Sequence, residues 1–366
     1  LAPAPHPPPR TRAVPRPPPP TPRPPHWLCR YKFSAPSCSV SLIFDIPTDL
    51  TPRFGYSPGQ YLTLRVPSDR TTSVARCYSL SSSPHCDDRP AITVKRTPGG
   101  YASNWLCDNV SPGDVLTVLE PAGNFTPRTW TNDLLLCAAG SGITPIISIL
   151  KSALTLGRAN VVLLYANRDR ASVIFAPQLH QLIRRHPRRL TVTHWLESDR
   201  GVPTPRAIAT WARPYRRDDV YLCGPAGFAG TVKQGLNLLR VPDRAIHQEQ
   251  YRSLTDNPFE HHTPLAAPAE TPPAGAATVR VDIDGETHTL PWPRTEKLLD
   301  VLLAHGIDAP YVCRGSACAT CVCAVKHGRT RMLQNESLIE EELAQGLTLA
   351  CQTLPESDDV HIAFDQ

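Results

Sequence analysis

Apolar and polar residues alternate in short runs through the first third of the chain. Turn signals separate these runs, including Pro58-Gly59 and Ser111-Pro112-Gly113-Asp114. Runs of strand length that are rich in β-branched residues lie at 39–44, 60–66, 91–95 and 115–119. Closely spaced strands of this kind predict a small antiparallel β-barrel over residues 27–128.

After residue 128, apolar runs alternate with helical stretches. The apolar runs lie at 134–138, 161–165, 190–195 and 220–223, and the helical stretches at 145–156, 174–186, 205–212 and 226–239. This alternation predicts a parallel sheet covered on both faces, over residues 129–252. Residues 134–150 are mostly apolar, but Gly140, Gly142 and Pro145 interrupt them. We therefore expect a strand, a loop and a helix there, and no membrane span.

Two segments lack a periodic pattern. Residues 1–25 hold 13 of the 41 prolines, which predicts a disordered, proline-rich arm over residues 1–26. That arm is either a ligand for a proline-reading groove or a solvated tail. Residues 253–276 are predicted to form a linker. Residues 277–366 then predict a compact unit, with a hairpin over 279–290 and a helix near 297–305.

Charge is distributed unevenly along the chain. The net charge is +5, and four arginines of the arm supply most of it, so the remaining chain has no general nucleic-acid footprint. Residues 277–366 carry 7 basic and 14 acidic residues, whereas residues 27–276 carry 27 and 19. This asymmetry favours electrostatic docking, either between domains or with a partner.

Four of the twelve cysteines predict a metal centre. Cys313, Cys318 and Cys321 have the spacing C-x4-C-x2-C, and Cys351 follows thirty positions later. This is the plant-type [2Fe–2S] ferredoxin spacing. Zinc is the alternative, although structural zinc sites prefer paired C-x2-C units or histidine partners. Cys323 is expected to be a buried bystander. Thiol ligation indicates a reducing compartment and no secretory signal is recognisable, so we expect a cytoplasmic protein.

Residues 76–82, RCYSLSS, combine groups that suit a flavin. An arginine can bind a phosphate through two hydrogen bonds. A tyrosine two positions on can stack on an isoalloxazine ring, and the next serine can bond a ring nitrogen. Residues 99–104, GGYASN, then form a glycine turn that opens a helix, whose free N–H groups can bind a pyrophosphate. An ordinary barrel strand followed by a capped helix is the alternative.

Two glycine loops end strands of the predicted parallel sheet. Residues 139–145 read AGSGITP and residues 223–228 read CGPAGF. Ligands of open α/β sheets bind at the carboxyl ends of the strands, so both loops can face one dinucleotide. Either loop alone can also be an ordinary tight turn. Arg168 favours a 2′-phosphate and Asp169 a free 2′-hydroxyl, which leaves NADH and NADPH open.

These motifs resemble the ferredoxin–NAD(P)H reductase superfamily, in the domain order of the phthalate dioxygenase reductase family. The stretches SVARCYSL, YASNWLCD, AAGSGITPI, LLYANRD and LACQ carry the resemblance, which covers residues 27–366 and is greatest to the reductases of 3-ketosteroid 9α-hydroxylases. The resemblance implies a multidomain chain with three folds. These are a FAD-binding antiparallel β-barrel, an NAD-binding α/β domain with a parallel sheet, and a [2Fe–2S] ferredoxin domain of the α+β β-grasp class.

The resemblance also implies roles for individual residues. FAD contacts are implied for Arg76, Cys77, Tyr78, Ser79, Lys95, Gly100, Tyr101 and Ser103. NADH contacts are implied for Gly140, Gly142, Thr144, Arg168, Cys223, Gly224, Pro225 and Tyr251, with Glu249 nearby. Ser79 and Cys223 are expected to be catalytic, and the iron ligands are Cys313, Cys318, Cys321 and Cys351. Two loop positions that usually hold glycine in the family hold Ser316 and Ala319 here.

The activity implied is electron transfer from NADH through FAD and [2Fe–2S] to a terminal oxygenase. A Rieske-type oxygenase is expected, with 3-ketosteroid 9α-monooxygenase as the expected system. The alternatives are a cytochrome P450 partner, another aromatic-ring-hydroxylating dioxygenase, and a scaffold protein without cofactors. FMN also stays open, because no adenine-binding residue can be identified in the sequence.

Overall fold

The computed structural model describes most of the chain: residues 26–35, 38–69, 71–215, 219–251, 257–259, 275–311, 313–316 and 318–364. Residues 1–25 of the predicted arm lie outside the described residues. The same holds for the predicted linker, apart from residues 257–259 and 275–276.

Six antiparallel strands and one helix form the first unit. They are β1 (His26–Ala35), β2 (Ser39–Asp45), β3 (Tyr61–Ser68), β4 (Thr72–Ser79), β5 (Ala91–Lys95), β6 (Val115–Thr117) and α1 (Tyr101–Asn109). One sheet has the order β5-β2-β1-β6, and β3 pairs with β4 in a second sheet. Single bridges between Leu64 and Val118 and between Leu80 and Ile92 join the two sheets at both edges. They close the barrel that the alternating pattern predicts.

Strand β3 of the β3–β4 hairpin is buried on both faces over most of its length. Leu62, Leu64 and Val66 of β3 point into the barrel core, as expected for every second residue of a strand. The intervening Tyr61 and Thr63 are also buried, at 5% and 0% exposed. The outer face of this hairpin is therefore covered by other parts of the chain.

The second unit is a parallel sheet between helices. Its strands are β7 (Leu134–Ala139), β8 (Val161–Asn167), β9 (Leu190–Leu196), β10 (Asp219–Cys223) and β11 (Ile246–Glu249), and its helices are α2 (Ile143–Leu156), α3 (Ala176–Arg185), α4 (Glu197–Arg200), α5 (Pro205–Ala212) and α6 (Ala226–Asn237). The strand order is β11-β10-β7-β8-β9. Alternate residues of β7 enter two separate cores, one with α2 and α3 and one with α5 and α6. From β7, the chain adds β8 and β9 on one side of the sheet and then β10 and β11 on the other. Ligands of such folds bind at this switch point, between β7 and β10.

The third unit is a mixed sheet packed on one main helix. Its elements are β12 (Ala277–Ile283), β13 (Glu286–Trp292), α7 (Leu298–Ala304), β14 (Val322–His327), β15 (Thr330–Met332), α8 (Glu340–Ala344), β16 (Leu347–Leu349), β17 (Thr353–Pro355) and β18 (Asp359–Ala363). The order is β13-β12-β18-β14-β16, and only β12 and β18 are parallel. Asp284 and Gly285 both have positive φ at the predicted hairpin turn.

Helix α2 of the second unit packs against the barrel through polar groups. Ser148 Oγ donates to the carbonyl oxygen of Ser82 at 2.5 Å, and the hydroxyls of Ser83 and Ser152 are 2.7 Å apart. Lys151 is buried and its Nζ lies 2.5 Å from Asp87 Oδ2. A buried lysine is stabilised by such a partner. These contacts hold the first two units together.

Candidate active site and cofactor sites

The predicted flavin residues of β4 lie on two faces of the strand. Tyr78 packs against the barrel core, and its pKa is raised by burial, so its hydroxyl stays protonated and can donate. Arg76 is on the same face, and its Nη1 donates to the carbonyl oxygen of Ala75 at 2.7 Å. Cys77 and Ser79 occupy the opposite face, which is the face covered by the other two units.

The two residues on this outer face each contact a different unit. Ser79 Oγ donates to Tyr251 Oη at 3.2 Å, which joins the barrel to the end of the second unit. Cys77 packs against a buried group that includes Cys318 of the third unit. β4 therefore contacts both neighbouring units with side chains that are two positions apart.

The predicted pyrophosphate turn opens α1. Gly100 occupies the N-cap position with no side-chain cap, so first-turn N–H groups are available to an anion. A Cβ at Gly100 would lie 2.9 Å from Thr97 Cβ and 3.0 Å from Ser103 Oγ, so this turn requires glycine. Ser103 Oγ accepts the N–H of Thr97 at 3.2 Å, and Tyr101 Oη donates to the carbonyl oxygen of Pro67 at 2.8 Å.

The two predicted nicotinamide loops are in contact. A Cβ at Gly142 would lie 2.2 Å from the carbonyl oxygen of Cys223 and 2.9 Å from the nitrogen of Gly224. Only glycine permits this approach. The loops at the ends of β7 and β10 thus border a single crevice, next to Pro225 at the start of α6.

Tyr251 links several predicted site residues through its hydroxyl. Besides Ser79, its Oη lies 2.7 Å from Thr144 Oγ1 and 3.2 Å from the carbonyl oxygen of Ser141. The Cys223 thiol also lies close to it. Groups from the flavin strand and from both nicotinamide loops therefore converge on one half-exposed side chain.

Two ionisable groups at this junction are kept neutral by their surroundings. Burial raises the pKa of the Cys223 thiol well above its usual range. It also raises the pKa of Glu249 to about 8, and Glu249 Oε2 is buried without a hydrogen-bond partner among the described residues. At pH 7 both side chains are mainly protonated, so the crevice holds little negative charge.

Basic groups from two units meet at the edge of the crevice. Burial and the nearby Arg168 guanidinium lower the pKa of Lys95, whose Nζ would lie 3.7 Å from a Cβ at Gly140. Asp169 is engaged elsewhere, because its Oδ1 accepts the N–H of Ser172 at 2.8 Å and caps a short 3-10 turn. Arg168 is exposed at this edge.

The four predicted ligand cysteines are buried and arranged as two pairs. Cys318 is the main electrostatic neighbour of the Cys313 thiol, and Cys351 is that of the Cys321 thiol. Among the described residues, no three candidate ligands surround a single point. Two thiolates for each of two irons is the arrangement that a [2Fe–2S] cluster requires. The residues present therefore fit this group.

The loop that carries three of the ligands has a backbone suited to glycine. Arg314, Ser316 and Ala319 have φ of 53°, 66° and 57°, and L-residues rarely adopt such values. Ser316 and Ala319 thus keep the glycine conformation despite their side chains. N–H groups in the loop point at sulfur, from Gly315 to Cys313 Sγ at 3.3 Å and from Thr320 to Cys318 Sγ at 3.5 Å. Cys323 lies apart from the pairs, near the carbonyl oxygen of Thr348.

Residues outside the predicted motifs also line the boundary between the barrel and the ligand loop. Tyr61 and Ala122 form one buried group with Cys313 and Cys318, and Leu119 packs against it. Tyr61 pairs with Ser79 across the β3–β4 hairpin. Its pairing with Ser79 marks Tyr61 as a site residue, but this strand register cannot be predicted from the sequence.

Three family matches cover most of the described chain. Residues 37–126 match the oxidoreductase FAD-binding domain, residues 136–234 the oxidoreductase NAD-binding domain, and residues 281–356 the 2Fe-2S iron-sulfur cluster binding domain. The fold and these matches define an oxidoreductase with FAD, NAD and [2Fe–2S] domains. No helix in the described part of the chain is both long and apolar enough to span a membrane.

Relatives specify the family further. The chain is 51% identical to the 3-ketosteroid-9-alpha-monooxygenase ferredoxin reductase component of Rhodococcus rhodochrous, over 88% of this chain and 92% of that protein. It is also 51% identical to the component of the same name from Mycobacterium tuberculosis, over 89% and 92%. The chain belongs to the family of these ferredoxin reductase components. A component of the 1,2-phenylacetyl-CoA epoxidase of Escherichia coli is 32% identical over 89% and 94%.

Solved structures share the architecture. Phthalate dioxygenase reductase superposes with a TM-score of 0.55 at 21% identity, covering 93% of this chain and 97% of that one. An intact type IV self-sufficient cytochrome P450 monooxygenase gives 0.65 at 21% identity, covering 92% and 40%. The predicted fold class of β-barrel, parallel α/β sheet and β-grasp ferredoxin is thereby confirmed.

Proposed function

We propose that this chain passes electrons from NADH through FAD and a [2Fe–2S] cluster to a Rieske-type oxygenase, the oxygenase component of a 3-ketosteroid 9α-monooxygenase. The observation that carries the proposal is the double contact of β4. Its Ser79 meets Tyr251 of the NAD-binding unit, and its Cys77 meets Cys318 of the ferredoxin unit. The names of the relatives that are 51% identical support the choice of oxygenase.

Each site residue receives a role in this proposal. FAD is held by Arg76, Cys77, Tyr78, Ser79, Lys95, Gly100, Tyr101 and Ser103. NADH is held by Gly140, Gly142, Thr144, Arg168, Cys223, Gly224, Pro225 and Tyr251. The irons are held by Cys313, Cys318, Cys321 and Cys351. When bound, the flavin and the cluster supply the conversion of a two-electron hydride into single electrons.

The protein side chains prepare the hydride path. Tyr251 occupies the point between Ser79 and Thr144, so a nicotinamide ring that approaches Ser79 displaces this half-exposed side chain. Glu249 holds a proton near Cys223 because burial raises its pKa to about 8. Transfer of that proton to water upon hydride donation would leave a carboxylate, which would stabilise the positively charged nicotinamide ring. Cys223 is buried and stays neutral beside Glu249.

A reducing, cytoplasmic location belongs to the same proposal. No disulfide joins any of the twelve cysteines, all of which lie in the described part of the chain, and ten of them are not exposed. Disulfides are rare in such a compartment, and four free thiols are needed for the cluster.

Reconstitution tests the proposal. The purified holoenzyme, mixed with NADH, a 3-ketosteroid and the oxygenase component of a 3-ketosteroid 9α-monooxygenase, should yield the 9α-hydroxylated steroid. Cys351→Ser should retain NADH-dependent ferricyanide reduction but lose hydroxylation, because the flavin remains and the cluster does not form. Cys38→Ser, at an exposed cysteine, is the matched control and should retain both activities.

Two outcomes would contradict the proposal. Hydroxylation by Cys351→Ser would mean that electrons bypass the cluster. Absence of product with the unsubstituted holoenzyme, despite rapid ferricyanide reduction, would mean that the oxygenase is of another type. The 32% identity to an epoxidase component makes that system the next partner to assay.

A further inference from the structure

A buried hydroxyl between the barrel and the ferredoxin unit has no partner. The Tyr61 residue is 5% exposed, and its Oη forms no hydrogen bond with any described residue. Buried polar atoms nearly always have a partner, because an unpaired one has lost its hydration without compensation. An acceptor is therefore expected beside Tyr61 in the working protein.

The Tyr61 ring is held in a fixed place. Its backbone N–H donates to the carbonyl oxygen of Ala122 at 2.9 Å, and the N–H of Ala122 donates back at 3.0 Å. A Cβ at Gly123 would lie 3.0 Å from Tyr61 Cε1, so the chain leaves room for the ring at that point. The hydroxyl consequently cannot search widely for an acceptor.

Two predicted ligand thiols are among the buried neighbours of Tyr61. The ring shares one buried group with Cys313 and Cys318, and Cys77 packs against that group. On the ferredoxin side, the N–H groups of Gly315 and Thr320 already point at these two sulfur atoms. Metal-bound thiolates and bridging sulfides accept hydrogen bonds. Tyr61 is placed to provide a donor from the barrel side.

We propose that Tyr61 donates its hydroxyl to a sulfur atom of the [2Fe–2S] cluster, on the Cys313–Cys318 side and across the domain boundary. This inference rests on the proposed function, since it requires the cluster to be bound there. Hydrogen bonds to the sulfur atoms of a cluster help to set its reduction potential, and a donor stabilises the more negative, reduced state. Tyr61 is thus a positioning residue, which raises the potential of the cluster only while the barrel is docked against it.

Tyr61→Phe tests this role with almost no change of shape. In the holoenzyme, a redox titration followed by electron paramagnetic resonance should give a lower cluster potential than in the unsubstituted protein. Loss of one hydrogen bond predicts a change of about fivefold in the one-electron equilibrium constant. That corresponds to roughly 40 mV, since tenfold is about 59 mV for one electron. Site-specific 3-fluorotyrosine at position 61, a stronger donor, should shift the potential in the opposite direction.

Tyr56→Phe is the matched control. Its hydroxyl lies 2.6 Å from Ser82 Oγ within the barrel, so its removal should leave the cluster potential unchanged. The proposal is overturned if iron-loaded Tyr61→Phe has the same cluster potential as the unsubstituted protein. A shift of the flavin potential alone would overturn it as well and would identify the isoalloxazine ring as the acceptor. Neither result alters the reconstitution assay, so failure of this inference is distinguishable from failure of the proposed function.

Discussion

At the scale of single residues, burial decides the charge of the groups around the hydride path. Glu249 ends β11 beside Cys223 of β10, and its Oε2 is buried with no hydrogen-bond partner in the described part of the chain. The desolvated carboxyl is more stable when protonated. Its ionisation is therefore linked both to folding and to any positive charge that develops nearby.

The pH dependence of the protein's stability should reflect the raised pKa of Glu249. The unfolded chain releases this proton near pH 4.5, whereas the folded chain holds it until about pH 8. Between these values the folded state binds more protons, so stability falls as pH rises. We expect the midpoint of thermal unfolding to fall more steeply across this range than in Glu249→Gln.

Glu341→Gln, on the exposed α8, controls for the loss of a surface carboxylate. Differential scanning calorimetry of the holoenzymes at several pH values measures the three curves. Parallel curves for the unsubstituted protein and Glu249→Gln would mean that Glu249 is already ionised at neutral pH.

Local spacing explains which site residues could be predicted. The ligand cysteines are identifiable because a metal centre requires several thiols within one loop, and the glycines because tight turns require them. Tyr61 could not be predicted in the same way. In the sequence it is one more apolar position of a strand. Its burial beside Cys313 and Cys318, with no partner for the hydroxyl among the residues described, is visible only in the folded structure.

At the scale of elements, strand ends bring distant glycine loops together. The loop after β7 and the loop after β10 are far apart in sequence, yet Gly142 and Cys223 are in direct contact. The parallel pairing of β7 with β10, from Leu134 with Asp219 to Ala138 with Cys223, aligns these ends. The crevice therefore forms because the register of β7 and β10 places the two loops side by side.

Gly142→Ala should separate the two loops. The added Cβ meets the Cys223 carbonyl oxygen at 2.2 Å, so the backbone must shift. We expect the rate of flavin reduction by NADH, measured by stopped flow, to fall by about tenfold or more, because small displacements of reacting groups are costly. Gly227→Ala, where nothing lies within 4 Å of the new Cβ, should retain the rate. Equal rates in both variants would show that the loop contact is not needed.

Periodicity predicts long elements better than short ones. Helices α2, α3, α5 and α6 of the α/β unit agree with the predicted stretches within two residues at either end, whereas the four-residue α4 was not predicted. β15, β16 and β17 have three residues each, which is too short for a period to be detected. β1 was not predicted either, since Arg30 and Lys32 interrupt its apolar run.

At the scale of the whole molecule, charge and packing serve different contacts. The barrel meets the ferredoxin unit through the buried group around Tyr61 and through a hydrogen bond from Asn124 Nδ2 to the carbonyl oxygen of Ser337 at 2.9 Å. These are neutral contacts. The excess of acidic residues in 277–366 is therefore available to a separate partner.

Salt should distinguish the two electron-transfer steps. Reduction of the cluster after mixing with NADH should change by less than about twofold between roughly 50 and 500 mM salt, because neutral buried contacts are not screened. Delivery to the oxygenase should slow over the same range, since screening weakens attraction between charged surfaces. Stopped-flow absorbance and product formation measure the two steps. Equal salt dependence would indicate that the ferredoxin unit docks to the barrel through charge.

Ser79 and Cys77 also lie at a fixed distance from each other along β4. Two residues of a β-strand span about 7 Å, so the contact with the nicotinamide side and the contact with the iron–sulfur side are separated by one short piece of backbone. Thermal motion of whole domains barely changes such a distance. Electron transfer from a flavin bound at this strand to the cluster should therefore persist upon warming until β3 and β4 come apart, and then stop abruptly.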